Sequence, residues 1–183
     1  MKLKKRFIGV LPLGEVPELA PKVIAAHIVG FLKLGAEILA SAQPPAAAFD
    51  KSQGRYNAAK ILSCFESGSY DNYDKIIGVL NVDLFIPTFA YVFGEAEVGG
   101  KHALVSLFRL KKNKGGPNPT SAVLYERAAK VAMHELGHLY NLTHCEDKNC
   151  LMHYSGGLAD LDSLPIYFCR YCNTYFREAL ERP

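Results

Sequence analysis

The sequence has little net charge, no long uninterrupted hydrophobic run and no recognisable signal-peptide cleavage site. Lys and Arg number 21 against 18 Asp and Glu, a formal net charge of +3, and this excess is too small to indicate a nucleic-acid partner. Asn81, Asp83 and Pro87 interrupt residues 76–93, the most apolar stretch, and Pro12 interrupts the short apolar start. Because charged groups are costly in hydrocarbon, we expect a cytoplasmic protein without membrane or nucleic-acid partners.

The chain is not short of apolar residues. Its 183 residues are 49% hydrophobic and 21% charged, and a domain of this length buries roughly 70% of the surface that its unfolded chain exposes. Such a core folds without a metal ion or a disulfide, so metal ligands are not needed to rescue a small domain. We therefore expect one soluble domain over residues 1–183.

Hydrophobic periodicity and turn residues predict an alternating order of strands and helices. The predicted strands are residues 6–13, 36–41, 75–85, 89–97 and 102–110, and the predicted helices are residues 21–34, 55–65 and a long helix that Thr120 or Ser121 caps. This order is typical of an α/β (α+β) domain with one mixed sheet of about five strands. We divide it into a sheet-bearing part (residues 1–119), a helix with its turn (residues 120–144) and an irregular cysteine-bearing tail (residues 145–183).

Residues that commonly bind metals are unevenly distributed along the chain. Four of the five Cys and four of the six His lie between residues 134 and 172. His134 and His138 are four residues apart, so on a helix both side chains project from one face and suit a tetrahedral Zn²⁺ ion. Glu135 lies on the same turn, where its carboxylate can accept a proton from water that a metal activates. A buried helix with hydrogen-bonded core histidines is the alternative, but an acid between two such histidines favours a metal site.

A third histidine can join this site only if the chain turns. His144 comes six residues after His138, and a continuous helix would rotate its side chain off the shared face. The chain must therefore turn sharply between the two residues, which favours a residue at positive φ. Asn141 occupies that position, and asparagine adopts the left-handed region more readily than most residues do.

Two pairs of cysteines follow the third histidine. Cys145 and Cys150 form a C-x4-C pair, and Cys169 and Cys172 form a C-x2-C pair. Four thiolates in two close pairs are typical of a closed, structural zinc site. Two disulfides and a nucleic-acid-binding zinc ribbon are the alternatives. Cys64 stands apart from both pairs, and we expect it to be a small buried hydrophobic residue.

The run H-E-L-G-H-L-Y-N-L-T-H resembles the elongated metzincin zinc signature, with Asn141 in place of the usual glycine. Together with the C-x4-C-x-M and C-x2-C segments, residues 134–172 resemble the archaemetzincin family. The resemblance implies a single metallopeptidase domain with a metzincin-like fold, one catalytic zinc ion and one structural zinc ion. It implies that the catalytic zinc ligands are His134, His138 and His144, with Glu135 as general base. It further implies that the structural zinc ligands are Cys145, Cys150, Cys169 and Cys172.

The residues after the second cysteine carry two further expectations. Met152 matches the methionine that lies beneath the zinc-binding histidines in metzincins, although a core methionine would make a similar contact. Tyr154 matches a tyrosine two residues after that methionine in astacin-like enzymes, which makes it a candidate oxyanion stabiliser or fifth zinc ligand. His153, between them, has no assigned role.

The sequence thus predicts a zinc-dependent peptidase with two Zn²⁺ ions per chain, acting as a monomer on a peptide or small protein substrate. By the same resemblance, we expect the substrate to lie extended along an edge strand within residues 89–110. Two other functions stay open: a catalytically latent, zinc-bearing peptide-binding or regulatory protein, and a zinc-stapled nucleic-acid binder. Because His144 and Cys145 are neighbours, we also expect the structural zinc to brace the third catalytic ligand.

Overall fold

Strands dominate the first part of the chain and helices the second. The computed structural model describes residues 7–65, 70–112 and 117–181; residue 6, where the first predicted strand begins, lies outside these ranges. The strands are β1 (Phe7–Leu13), β2 (Gly35–Ile38), β3 (Phe49–Asp50), β4 (Arg55–Asn57), β5 (Lys75–Leu80), β6 (Leu84–Ile86), β7 (Phe89–Val92), β8 (Gly94–Ala96) and β9 (His102–Ser106). The α-helices are α1 (Leu19–His27), which a π-helical turn (Ile28–Leu32) extends, α2 (Ala58–Phe65), α3 (Ser121–Leu139), α4 (Leu158–Ser163) and α5 (Arg170–Glu181).

A five-stranded sheet in the order β2-β1-β5-β9-β8 forms the centre of the fold. Its first four strands are parallel, and β8 is an edge strand that runs antiparallel to β9. The inner strands are almost continuously buried, because α1 and α3 cover one face and α2 covers the other. The predicted mixed sheet of about five strands is confirmed.

The sequence patterns do not predict a second, smaller sheet, whose strand order is β3-β4-β6-β7. Residues 75–85 are predicted as one strand, but a turn at residues 81–83 separates β5 from β6, so that prediction is wrong. Asp83 accepts two hydrogen bonds from the guanidinium of Arg109, of 2.6 and 2.7 Å, which stabilise this turn. Residues 55–57, predicted as the start of a helix, form β4 beside β6 instead.

Helix α3 begins at the predicted cap. The hydroxyl of Thr120 accepts a hydrogen bond from the N–H of Val123, so Thr120 rather than Ser121 is the N-cap residue. The helix packs against α1, β8 and β9. This packing places the C-terminal half of α3, which carries His134 and His138, beside the edge strand β8.

Two expectations about cysteine-bearing segments are wrong. The tail is not irregular, because it contains α4 and α5, and α5 buries Cys172 and Phe176 on its inner side. Cys64 on α2 is exposed rather than buried, because α2 turns Ala58 and Ile61 to the core instead. Among the described helices, none is both long and apolar enough to cross a bilayer.

Candidate metal centre

The end of α3 reverses the chain so that a third histidine can face the first two. Asn141 has a φ of 68°; its N–H donates to the carbonyl of His138 (3.0 Å), and the N–H of Leu142 donates to the carbonyl of Gly137 (2.9 Å). These two bonds form a Schellman motif, which satisfies the last carbonyl groups of a helix. Gly99, in the β8–β9 turn, also donates its N–H to the carbonyl of His138 (2.9 Å). The predicted left-handed turn at Asn141 is confirmed.

Three imidazole rings converge beside this turn. His134, His138 and His144, hereafter the histidine cluster, each place a ring nitrogen within 4.8 Å of the other two. The Nδ1 of His134 lies 2.8 Å from the carbonyl oxygen of Leu151, and the Nδ1 of His138 lies 2.8 Å from that of Leu142. Because a carbonyl oxygen can only accept, each of these Nδ1 atoms carries a proton. The Nε2 atoms of both neutral rings therefore present lone pairs.

The facing Nε2 atoms of His134 and His138 fit a metal ion. They are 3.1 Å apart, and two lone pairs cannot form a hydrogen bond unless one ring gains a second proton. Burial, with a contribution from His138, lowers the pKa of His134 to about 3, so that ring stays neutral near neutral pH. A tetrahedral zinc ion with Zn–N distances of about 2.0–2.1 Å places two ligand nitrogens about 3.3 Å apart. The donor atoms and their spacing therefore suit Zn²⁺.

Glu135 lies between the histidine cluster and strand β8. Its side chain is buried, and a Cβ added to Gly94 at the start of β8 would lie only 2.6 Å from its Oε1 atom. Glycine at position 94 thus leaves room for the carboxyl group. Burial raises the pKa of the Glu135 carboxyl well above its ordinary value, and the charge of Glu95 raises it further. Because a nearby positive charge favours the ionised form, this carboxyl is suited to a site that holds a cation.

Met152 packs against the α3 turn that joins His134 and His138. Its side chain is fully buried, and a Cβ added to Gly137 would overlap its Sδ atom and lie 3.1 Å from its Cε atom. Met152 therefore lies directly against the helical turn between His134 and His138. Gly137 is required by this close approach.

We expect the Gly137→Ala substitution to destabilise the protein. Alanine usually stabilises a helix relative to glycine, but here the added methyl group displaces Met152, and overpacking of this kind costs about 1–3 kcal/mol. For a chain of this size the expected fall in Tm is about 2–12 °C, with weaker zinc retention. Gly30→Ala is the matched control, because a Cβ at that position has no atom within 4 Å. Thermal unfolding of both variants checks the prediction, and equal Tm values would contradict it.

Four thiol groups form a second cluster. The Sγ atoms of Cys145, Cys150, Cys169 and Cys172, hereafter the cysteine cluster, lie within 4.8 Å of one another. Those of Cys145 and Cys169 are 3.9 Å apart, close to the roughly 3.8 Å expected for two ligands of tetrahedral zinc and far beyond a disulfide bond. Burial raises the pKa of Cys150 to about 11, so a cation is needed to stabilise its thiolate at neutral pH.

The two clusters share one short backbone segment. Leu151, whose carbonyl orients His134, lies between Cys150 of the cysteine cluster and Met152. The N–H of Cys145 donates to the carbonyl of Met152 (2.8 Å), and the Nδ1 of His153 lies 2.8 Å from the carbonyl of Cys145. His153 therefore holds the two ends of this loop together. Hydrogen bonds thus connect His134 of the histidine cluster with the loop that carries Cys145 and Cys150.

The histidine cluster opens into a cleft of about 650 Å³. Helix α3 forms one wall, β7 and β8 form a second, and the segment after Met152 forms the third. Tyr154 is half-exposed, and its ring centroid lies 5.4 Å from that of His144. The hydroxyl of Tyr91 on β7 donates to the carbonyl of Gly156 (3.4 Å), which joins the second and third walls. The predicted catalytic residues therefore lie around a single cleft.

Comparison with known proteins identifies the family of this chain. The family model described as Peptidase family M54 matches residues 24–178. The chain belongs to this peptidase family. It is 39% identical over 165 residues to the archaemetzincin of Methanocaldococcus jannaschii, a match that covers 90% of this chain and 89% of the relative.

Solved structures of similar proteins share the fold. The crystal structure of archaemetzincin from Methanopyrus kandleri superimposes with a TM-score of 0.85 at 30% identity, covering 97% of this chain and 96% of that one. The zinc-dependent peptidase from Methanocorpusculum labreanum superimposes with a TM-score of 0.80 at 25% identity, covering 92% and 99%. The predicted resemblance, the α/β metzincin-like fold and the assignment as a zinc metallopeptidase, a hydrolase, are confirmed.

Sequence reasoning missed four positions at this M54 site. Gly94 and Gly137 leave room for Glu135 and Met152, and the carbonyl groups of Leu142 and Leu151 orient two histidine rings. A signal for Gly137 existed, because glycine inside an apolar helix is unfavourable unless close packing requires it. The backbone carbonyls carry no sequence signal, because every residue has one.

Proposed function

We propose that the protein hydrolyses peptide bonds at a zinc ion held by His134, His138 and His144, with Glu135 as general base. The observation that carries this proposal is the distance of 3.1 Å between the Nε2 atoms of His134 and His138, both of which present lone pairs when the rings are neutral. Core histidines would share a proton at that distance, and the low pKa of His134 argues against such sharing.

Each residue of the site has a definable part in the reaction. When bound, zinc supplies the positive charge that activates water and polarises the scissile carbonyl. The Nδ1–H groups of His134 and His138 donate to backbone carbonyls, which holds both rings in position. Glu135 accepts a proton from the attacking water and then donates it to the leaving amine. Because the Glu135 side chain is buried against Gly94, its carboxyl group is held in one position.

We propose that the peptide substrate binds along β8. In the described part of the chain, β8 pairs with β9 on one side only, and its residues line the cleft beside Glu135. An extended peptide can add to such an edge through backbone hydrogen bonds. The predicted edge strand within residues 89–110 would then be Gly94–Ala96.

Tyr154 is the proposed oxyanion stabiliser. Its ring lies 5.4 Å from the ring of His144, edge to face, and 6.4 Å from the ring of Phe89 across the cleft mouth. A phenol hydroxyl at this position can donate to the negative charge that develops on the scissile carbonyl oxygen. A fifth zinc ligand remains the other role predicted for it.

The cysteine cluster is proposed to hold a second, structural zinc ion. The sulfur atoms come from the loop of Cys145 and Cys150 and from residues 169 and 172 at the start of α5, and four thiolate ligands close the coordination sphere. The N–H of Cys169 also donates to the Sγ of Cys150 (3.2 Å), a bond that favours the thiolate form. Elemental analysis is expected to find two zinc ions per chain.

A peptide-library experiment tests the proposed activity. Purified protein loaded with zinc is incubated with a mixed peptide library, and mass spectrometry identifies new termini. We expect products that disappear when 1,10-phenanthroline removes the more accessible zinc and return when zinc is restored. No cleavage by fully loaded protein would refute the peptidase proposal and favour the latent binding or regulatory alternative.

A further inference from the structure

The cleft extends beyond the histidine cluster along α3. Lys130 lies one helical turn before His134, so both side chains project from the same face, and both line the cleft. Among the described residues that line the cleft, Lys130 is the one lysine or arginine. A substrate held at the histidine cluster would therefore share this cleft with Lys130.

Lys130 is a buried cation whose two hydrogen bonds to backbone carbonyl groups are long. Its side chain is 5% exposed, and its Nζ atom lies 3.4 and 3.3 Å from the carbonyl oxygens of Leu161 and Asp162. Both distances exceed the usual range of about 2.7–3.2 Å. The partner carboxylate, on Glu126 at 2.9 Å, is 59% exposed, and ion pairs with an exposed partner are weak.

The surroundings of Lys130 favour a single kind of ligand. Val131, Leu161 and Leu164 line the cleft beside it, and such apolar walls strengthen a charge-assisted hydrogen bond by excluding water. A carboxylate satisfies the ammonium group with shorter bonds than the two carbonyls provide. Glu95 and Glu135 line the β8 side of the cleft. Negative charge there disfavours a substrate carboxylate, so the Lys130 side is the favoured position for one.

We propose that Lys130 is a specificity-determining residue that binds a carboxylate group of the substrate. The carboxylate belongs either to an Asp or Glu side chain near the scissile bond or to the terminal α-carboxylate of a short peptide. This inference rests on the proposed peptidase function. The alternative is a purely structural role, in which Lys130 only supports the last carbonyl groups of α4.

Paired peptides distinguish the two roles. Starting from a sequence that the wild type cleaves, each position near the cleavage site is made Glu or Gln in C-terminally amidated peptides, and kcat/KM is measured for each pair. A further pair compares the free acid with the amide, which separates a side-chain carboxylate from a terminal one. We expect kcat/KM to be about tenfold or more higher for the carboxylate member of at least one pair.

The Lys130→Met variant is expected to lose this preference. Its ratio of kcat/KM values should fall to about 1, because the carboxylate member of the pair loses its advantage over the uncharged member. Because both peptides are measured on the same preparation, a lower folded fraction cancels from the ratio. Lys60→Met, which removes an exposed lysine of α2, is the matched control and should keep the wild-type ratio. A wild-type ratio near 1, or an unchanged ratio in Lys130→Met, would overturn the proposal.

A binding measurement separates this inference from the proposed function. Fluorescein-labelled versions of the same pairs, or Glu-fixed and Gln-fixed peptide mixtures when no cleaved sequence is found, are titrated into the Glu135→Gln protein by fluorescence anisotropy. A tenfold lower Kd for the carboxylate member, abolished by Lys130→Met, supports the role of Lys130. That result without any wild-type cleavage would refute the peptidase proposal alone, and cleavage without a carboxylate preference would refute the Lys130 proposal alone.

Discussion

The Glu135→Gln variant is expected to cleave peptides about 10²–10⁴-fold more slowly than the wild type, the usual contribution of a general acid–base group. Glutamine has the same shape, so it keeps the contact with Gly94, but its neutral amide cannot accept a proton from water. Because Glu135 does not belong to the histidine cluster, the zinc content of the variant should stay unchanged. The rates are measured on the best substrate from the peptide library.

Glu178→Gln is the matched control for this substitution. Glu178 is an exposed residue of α5 that lies outside the cleft, so its loss removes one negative charge without touching the site. We expect wild-type kcat/KM for this variant. Comparable activity in Glu135→Gln and Glu178→Gln, at equal zinc occupancy, would show that Glu135 is not the general base.

The Cys150→Ser variant is expected to lose the structural zinc and to hold the catalytic zinc about 10–100-fold more weakly, although Cys150 contacts no catalytic atom. The effect on the histidine cluster follows from the shared loop, because the next residue, Leu151, orients His134 through its carbonyl. Losses of this size are typical when the partners that orient metal ligands are disturbed. Competition with a chromophoric chelator measures the affinity of the histidine cluster directly.

Cys64→Ser provides the control for this variant. Cys64 is exposed on α2 and does not belong to the cysteine cluster, so the same chemical change should leave both zinc ions in place. An unchanged affinity of the histidine cluster in Cys150→Ser would mean that the two sites fold and bind zinc independently.

The residues of the site are predictable where their placement depends on local helical geometry. His134 and His138 lie four residues apart, and that spacing alone places them on one face of α3. Asn141 is predictable as the turn because few residues adopt a positive φ, and its φ of 68° agrees. These features need no knowledge of how distant segments pack.

The short strands and one helix show where such reasoning fails. Strands β3, β4 and β6 have only two or three residues, too few for an alternating pattern to emerge, and their pairing is set by distant segments. Helix α5 was predictable, because Cys172 and Phe176 lie one turn apart on its buried side. A pattern of metal ligands in a segment does not exclude regular structure in the same residues.

The predicted monomeric state, the cytoplasmic location and the division into residues 1–119, 120–144 and 145–183 stay predictions. Membership of the M54 family supports the prediction that the substrates are peptides. Neither the fold nor the cleft depends on the oligomeric state, the location or this division of the chain. Size-exclusion chromatography with light scattering would measure the oligomeric state.

The hydrogen bond from Gly99 to His138 has a consequence for protein engineering. Hairpin tips on a protein surface ordinarily accept insertions and vary in length among relatives. Here the tip of the β8–β9 hairpin is hydrogen-bonded to the end of α3, and Gly99, at a φ of 76°, leaves room for the side chain of Asn141. An inserted residue would therefore displace both the proposed substrate-binding edge and His138. Epitope tags and grafted loops should therefore be inserted at positions other than the β8–β9 hairpin.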